Sequence, residues 1–103
     1  MTEYKTPNFS IDLSDQIALV TGASSGLGYR FSKVLASCGA KVAISARRKE
    51  KLESLAEEIK SAGGECMVVP IDMTDRKSIK SAVDNVSKEM GTIDTLVNNA
   101  GIP

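Results

Sequence analysis

The sequence contains no histidine and no tryptophan, and only two cysteines, two tyrosines and two phenylalanines. Without histidine, imidazole acid–base catalysis and histidine-ligated metal sites are excluded. There is no excess charge of either sign: 13 Lys and Arg balance 13 Asp and Glu. That removes the overall basic field expected of a nucleic-acid binder, although a local basic patch remains open. No apolar run approaches the roughly 18 residues needed to cross a bilayer. The first residues, 1–14, carry Glu3 and Asp12 and no apolar block, so they do not read as a secretory signal. Cys38 and Cys66 sit inside apolar patterns and form no C-x-x-C pair. They read as small core hydrophobes in a reduced, cytoplasmic setting. What remains is ordinary globular material: 103 residues, 42% hydrophobic and 25% charged, enough for one small domain.

Two kinds of segment alternate along the chain. Ile17-Ala18-Leu19-Val20, Lys41-Val42-Ala43-Ile44-Ser45, Cys66-Met67-Val68-Val69 and Thr95-Leu96-Val97 are short, apolar and mostly β-branched. They read as strands buried on both faces, as in a parallel sheet. Between them lie helical spacings, each ended by glycine. Leu27, Phe31, Val34, Leu35 and Cys38 form the first apolar stripe, with Gly39 as its stop. Leu52, Leu55, Ala56, Ile59 and Ala62 form the second, before Gly63-Gly64. Ile79, Ala82, Val83, Val86 and Met90 form the third, before Gly91, with Thr74 or Asp75 placed to cap its start. The sum is an α/β fold, β-α-β-α-β-α-β, whose short connections imply right-handed crossovers and a parallel sheet with helices on both faces. Pro70 closes the third strand, and a proline belongs at a sheet edge. The order 3-2-1-4 of a Rossmann half-fold puts that strand there. Residues 1–14 read as an N-terminal arm, with Phe9, Ile11 and Leu13 alternating against polar neighbours. Residues 15–103 read as the domain.

The first strand runs directly into Thr21-Gly22-Ala23-Ser24-Ser25-Gly26-Leu27-Gly28, and a helix follows at once. A strand turning sharply into a helix aims unpaired backbone N–H groups and the positive end of the helix dipole at one spot, which suits a phosphate. Gly22 suits the tight turn, Gly26 lets an anion approach the backbone, and Gly28 lets the helix lie close on the strand. Ser24 and Ser25 can add hydroxyl donors. The spacing GxxxGxG differs from GxGxxG, and no lysine follows Gly28, which disfavours an ATP-type phosphate loop.

TGASSGLG at positions 21–28, Asp72-Met73, and NNAG formed by Asn98, Asn99, Ala100 and Gly101 together resemble the N-terminal half of the short-chain dehydrogenases/reductases. The resemblance covers about nine-tenths of the chain, from roughly Phe9 onward. It implies a dinucleotide site in which Gly22, Ser24, Ser25, Gly26, Leu27 and Gly28 lie on the pyrophosphate side. It further implies that Asp72 accepts from the adenine amino group while the Met73 backbone N–H reaches a ring nitrogen. Asn98 and Asn99 would brace the sheet and line the adenosine side, with Ala100 and Gly101 forming the adjoining wall. Each has a plainer reading as well: Asp72 as a cap for the third helix, and Asn-Asn-Ala-Gly as a turn.

At the end of the second strand an NAD site wants an acidic residue for the ribose 2′-hydroxyl. Here Ala46 stands where the family's NAD members carry Asp, and Arg47 and Arg48 follow. With no carboxylate to repel a 2′-phosphate and a guanidinium to pair with it, NADP is the expected cofactor, NAD the less expected. The plainer reading is that Arg47, Arg48, Lys49 and Lys51 form a solvated helix start, although cations there oppose the helix dipole. Some NADP members also carry a basic residue just before the second motif glycine. Here that position is Ser25, so Arg47 carries the preference with Arg48 assisting.

The family's catalytic Tyr, Lys and Ser lie downstream of NNAG, and the chain ends at Pro103. Tyr29-Arg30-Phe31-Ser32-Lys33 matches Y-x-x-x-K, but on a helix of about 100° per residue it falls roughly 160° from the apolar stripe, as a solvated outward face. No catalytic residue is therefore expected in this chain. The leading expectation is the N-terminal cofactor-binding portion of an NADP(H)-dependent oxidoreductase interconverting a hydroxyl and a carbonyl on a small molecule. No nucleic-acid or membrane partner is expected, and a homo-oligomer is possible on family grounds. The alternatives are a non-catalytic dinucleotide-binding or dimerising module, and a sugar epimerase half, against which NNAG argues.

Overall fold

The computed structural model describes residues 12–23, 26–46, 49–72 and 74–98. The elements follow the expected alternation: β1 (Ile17–Thr21), α1 (Gly26–Ser37), β2 (Lys41–Ser45), α2 (Lys49–Ser61), β3 (Glu65–Val68), α3 (Arg76–Glu89) and β4 (Thr95–Asn98). The strands form one sheet in the order β3-β2-β1-β4. All pairings are parallel, with Leu19 between Ala43 and Leu96, and Val20 between Ile44 and Val97. Pro70 follows β3, which is an edge strand as a proline there requires.

The crossovers decide where the helices go. From β1 through α1 to β2, and on through α2 to β3, the chain steps one way across the sheet; α3 then carries it back to β4 on the other side of β1. Right-handed crossovers in opposite directions place helices on opposite faces. The packing follows that rule. Val20, Val42, Ile44 and Cys66 face Leu52, Leu55, Ala56 and Ile59 of α2, with Leu35 and Ala36 of α1 against them. Alternate residues Ile17, Leu19, Ala43 and Val69 face Ala82 and Val86 of α3 on the other side. Val20, Val42, Ile44 and Leu55 are fully buried, each contributing about 1.5–3 kcal/mol of apolar transfer. At β1 the direction of progression reverses, and the carboxyl ends of β1 and β4 flank the crevice where such sheets bind ligands.

Three details differ from the expectations. The first helix buries only part of its apolar stripe: Leu35 packs on the α2-side core and Cys38 is half-buried, but Leu27, Phe31 and Val34 are 59%, 42% and 57% exposed. Its fully buried residues are Gly28 and Ser32, which let α1 lie close on the sheet. These small residues sit roughly 120° round the helix from the apolar stripe, so the most hydrophobic face is not the sheet face. The fourth strand is not buried on both faces, since Thr95, Leu96 and Asn98 are exposed and Val97 is half-buried. No described element packs beyond it. Boundaries also move by a residue: β1 includes Thr21, β3 begins at Glu65 and ends at Val68, and β4 includes Asn98. Of the two candidate caps for α3, Asp75 is the one used, its carboxylate accepting from the Lys77 N–H at 2.9 Å. Of the arm, residues 12–14 are described; the Leu13 N–H donates to the Cys38 carbonyl at 2.7 Å and its side chain packs on the α2 side of the sheet.

Candidate cofactor site

The turn from β1 into α1 is built on glycine backbone geometry. Gly22 has φ 66° and Gly26 has φ 59°, both in the left-handed region that L side chains rarely adopt. Between them, the N–H of buried Ala23 donates to the Ser45 carbonyl at 3.0 Å, tying the turn to the carboxyl end of β2. Gly28 is buried, and its carbonyl accepts from the Ser32 hydroxyl at 2.8 Å. The first turn of α1 carries no acidic side chain, so no carboxylate of that turn offsets the positive end of the helix. A methyl group built at Gly26 would meet no described atom within 4 Å. Among the described residues nothing fills the space in front of this backbone, where a pyrophosphate would approach, and the residues present fit a dinucleotide.

Beside the turn, the Thr21 hydroxyl donates to Asn98 Oδ1 at 3.0 Å, joining the carboxyl ends of β1 and β4. Sequence reading placed Asn98 as a sheet brace but did not identify Thr21 as its partner. The only hint was that Thr21 stands last before Gly22. At the opposite end of the same strand pair, Asp94 Oδ2 accepts from the Ile17 N–H at 2.9 Å and the Asp94 N–H donates to the Ile17 carbonyl at 2.8 Å.

Asp72 lies beyond the edge strand, exposed, at the carboxyl side of the sheet. Its Oδ1 accepts from both the Thr74 N–H at 3.0 Å and the Thr74 hydroxyl at 2.6 Å, while its own N–H donates to Ser78 Oγ at 2.8 Å. This carboxylate folds the turn ahead of α3; the capping of α3 itself belongs to Asp75, which corrects the plainer reading of Asp72. Gly22, Gly26, Leu27 and Gly28 are thus brought together at the β1–α1 junction. Ser24, Ser25, Arg47, Arg48, Met73, Asn99, Ala100 and Gly101 lie outside the described residues. Lys49 and Lys51, at the start of α2, are exposed.

The Tyr29–Lys33 pair is not a freely solvated face. The Tyr29 ring is half-buried against the α2-side core, and its hydroxyl donates to Glu58 Oε2 on α2. Lys33 Nζ lies 3.7 Å from Glu58 Oε1 and 5.9 Å from the centre of the Tyr29 ring. The hydrogen bond to Glu58, aided by slight desolvation and by the carboxylate's charge, holds the Tyr29 phenol above its ordinary value. That is opposite to the lowering a phenolic proton donor at neutral pH requires. Cys66 is buried and its thiol is pushed up to about 11 by desolvation, making it inert. Both cysteines are free thiols. Among the described residues no three potential metal ligands cluster, and no helix is long and apolar enough to cross a membrane.

A parallel 3-2-1-4 sheet with a glycine turn between β1 and α1 defines the Rossmann class of α/β proteins. Within it, residues 16–103 match the family model for short chain dehydrogenases, and the chain belongs to that family. It is 43% identical over 94 residues to a short chain dehydrogenase of Pseudocercospora fijiensis, covering 91% of this chain and 30% of that protein. It is 42% identical over 91 residues to a fatty acyl-CoA reductase of Mycobacterium tuberculosis, covering 88% of this chain and 31% of that one. Among solved structures, a short-chain type dehydrogenase/reductase from Mycobacterium marinum superposes with a TM-score of 0.85 at 39% identity, over 90% of this chain and 38% of that chain. A metagenomic short-chain oxidoreductase in complex with NADP superposes with a TM-score of 0.82 at 42% identity, over 86% of this chain and 40% of that one. The chain thus spans about 30% of the length of these curated relatives.

Proposed function

We propose that this chain forms the adenosine and pyrophosphate side of an NADP(H) site in a short-chain oxidoreductase that interconverts a hydroxyl and a carbonyl on a small molecule. The observation that carries the reading is the β1–α1 turn, with left-handed Gly22 and Gly26, buried Gly28 and open space in front of Gly26. The backbone N–H groups of this turn, with Ser24 and Ser25, would hold the pyrophosphate at the positive end of α1. Asp72 and the Met73 N–H would hold the adenine, and Asn99, Ala100 and Gly101 the adenosine-side wall. Arg47, assisted by Arg48, would pair with the 2′-phosphate, and Ala46 would leave room for it.

When bound, NADPH supplies the hydride. This chain's residues bind and orient it; Tyr29, committed to Glu58, does not supply the proton. Residues 15–103 act as the cofactor unit, with 1–14 as an arm. A reduced cytoplasmic setting and assembly into a homo-oligomer complete the reading. A structural relative solved in complex with NADP is in keeping with this choice.

One charge-assisted hydrogen bond from Arg47 contributes about 1.5–3 kcal/mol, roughly a tenfold to hundredfold preference for NADPH over NADH. Calorimetric titration of the chain with both cofactors tests this. Arg47→Ala is expected to remove the preference while leaving NADH affinity in place. Equal losses for both cofactors would show that Arg47 does not read the 2′-phosphate.

A further inference from the structure

We infer that Tyr29 and Glu58, supported by Lys33, are positioning residues that set the spacing between the pyrophosphate turn and the 2′-phosphate end of the cofactor site. This rests on the cofactor reading above and adds a role for residues outside the glycine motif.

Near the glycine turn, the first half of helix α1 has few other large side chains packed on the core among the described residues. Only Gly28 and Ser32 are fully buried, and neither carries a large side chain. Its large apolar residues Leu27, Phe31 and Val34 face solvent and hold it against nothing described. Toward α2 the helix packs through Leu35 and Ala36 in its second half and through Tyr29 at its start; the Tyr29 ring lies on the core that includes Leu52 and Leu55, and its hydroxyl donates to Glu58. Glu58 also pairs with Lys33 at 3.7 Å. An exposed ion pair alone contributes little. The Tyr29 hydroxyl–Glu58 contact is also solvent-exposed, but a hydroxyl donating to a carboxylate is charge-assisted, so Tyr29–Glu58 leads and Lys33 assists.

The location of this clamp gives it consequence. Tyr29 directly follows Gly28, so the restraint acts one residue from the turn. On the other side, the Ala23 N–H ties the turn to the Ser45 carbonyl at 3.0 Å, and Ala46 and Arg47 follow that residue. Together the two ties fix the turn relative to the end of β2 and to α2. A ligand that must touch both places senses their separation, whereas one that touches only the β2 end does not.

The test uses the 103-residue chain and two ligands. NADPH spans both subsites, and adenosine 2′-monophosphate reaches only the ribose-phosphate end. Tyr29→Phe and Glu58→Ala are each expected to weaken NADPH binding about three- to tenfold, the value of one hydrogen bond. Adenosine 2′-monophosphate binding should stay within about twofold. The double variant should lose no more than either single one, because both remove the same bond. Glu58→Gln keeps an acceptor for Tyr29 and should restore most of the affinity. Thermal melts followed by circular dichroism establish that each variant is folded, and Glu58→Ala, at an exposed site, guards against a misfolded Tyr29→Phe.

Equal losses for both ligands, or unchanged NADPH affinity in folded Tyr29→Phe and Glu58→Ala, would overturn the positioning role and leave the cofactor reading standing. A wild-type chain that binds neither ligand, or adenosine 2′-monophosphate alone, would overturn the cofactor reading and this inference with it.

Discussion

Replacing Gly26 with alanine separates folding from binding. Gly26 sits at φ 59°, so a Cβ there costs the left-handed penalty of about 1–2 kcal/mol. It adds no collision, because no described atom lies within 4 Å of the new methyl. For a domain this small, each kcal/mol lowers Tm by roughly 4–8 °C. Gly63 provides an internal control: it has φ 92° and equally open surroundings, but it follows α2 at the amino end of β3, away from the carboxyl edge where the site lies. Gly63→Ala should therefore cost a similar amount of stability. Binding should divide the two. On the proposed reading, the Gly26 methyl would stand where the pyrophosphate approaches the backbone and would forfeit at least one charge-assisted bond, about tenfold to hundredfold in NADPH affinity. Gly63→Ala should bind as the wild type does. Melting curves read stability, and titration at a temperature where both variants remain folded reads affinity. Equal affinity in the two variants would refute the assignment of Gly26 to the phosphate turn.

Other perturbations probe the scaffold. Asp75→Ala removes the acceptor for the Lys77 N–H and should destabilise the chain by about 0.5–2 kcal/mol in urea unfolding, while Asp75→Asn should recover most of it. Asp94→Ala leaves the part-buried Ile17 N–H without its carboxylate and should cost about 1–3 kcal/mol; a loss below a few tenths would show that water replaces Asp94. Cys66, raised from an ordinary 9.0 to about 11, should carry about a hundredfold less thiolate than an unperturbed thiol near pH 8 and react correspondingly slowly with a disulfide reagent. Because the unfolded thiol ionises first, its contribution to stability is complete below pH 9 and falls as pH rises toward 11. Cys66→Ala should flatten that part of the stability profile, and an unchanged slope would assign it to other groups.

The strands and their order were legible because β-branched runs, glycine stops and Pro70 all point to one topology. The β1–α1 turn was legible because its glycines stand between a strand and a helix, and Gly22 and Gly26 do take left-handed φ values. The face of α1 was not legible. Apolar periodicity identifies the most hydrophobic side, but close packing on a sheet selects the smallest side chains, here Gly28 and Ser32. Lys33 is exposed as an outward face would be, but the half-burial of the Tyr29 ring was not legible. Their partner Glu58 is 29 positions beyond Tyr29 on another helix, a contact no local pattern encodes. Thr21 was read as a motif letter, whereas its hydroxyl links two strand ends through Asn98, 77 positions away. The burial of β4 was overestimated because an apolar strand sequence does not itself say which elements cover it, and the described helices leave Leu96 61% exposed.

The central claim is that the β1–α1 turn and the end of β2 hold NADP(H). The most direct measurement is NADPH titration of the isotopically labelled chain, followed by amide chemical shifts. Saturable changes are expected at Gly22, Gly26, Leu27 and Gly28, at Arg47 and at Asp72, with NADH moving the same turn more weakly and Arg47 least. Saturable changes elsewhere, or none at the turn at millimolar cofactor, would contradict the claim.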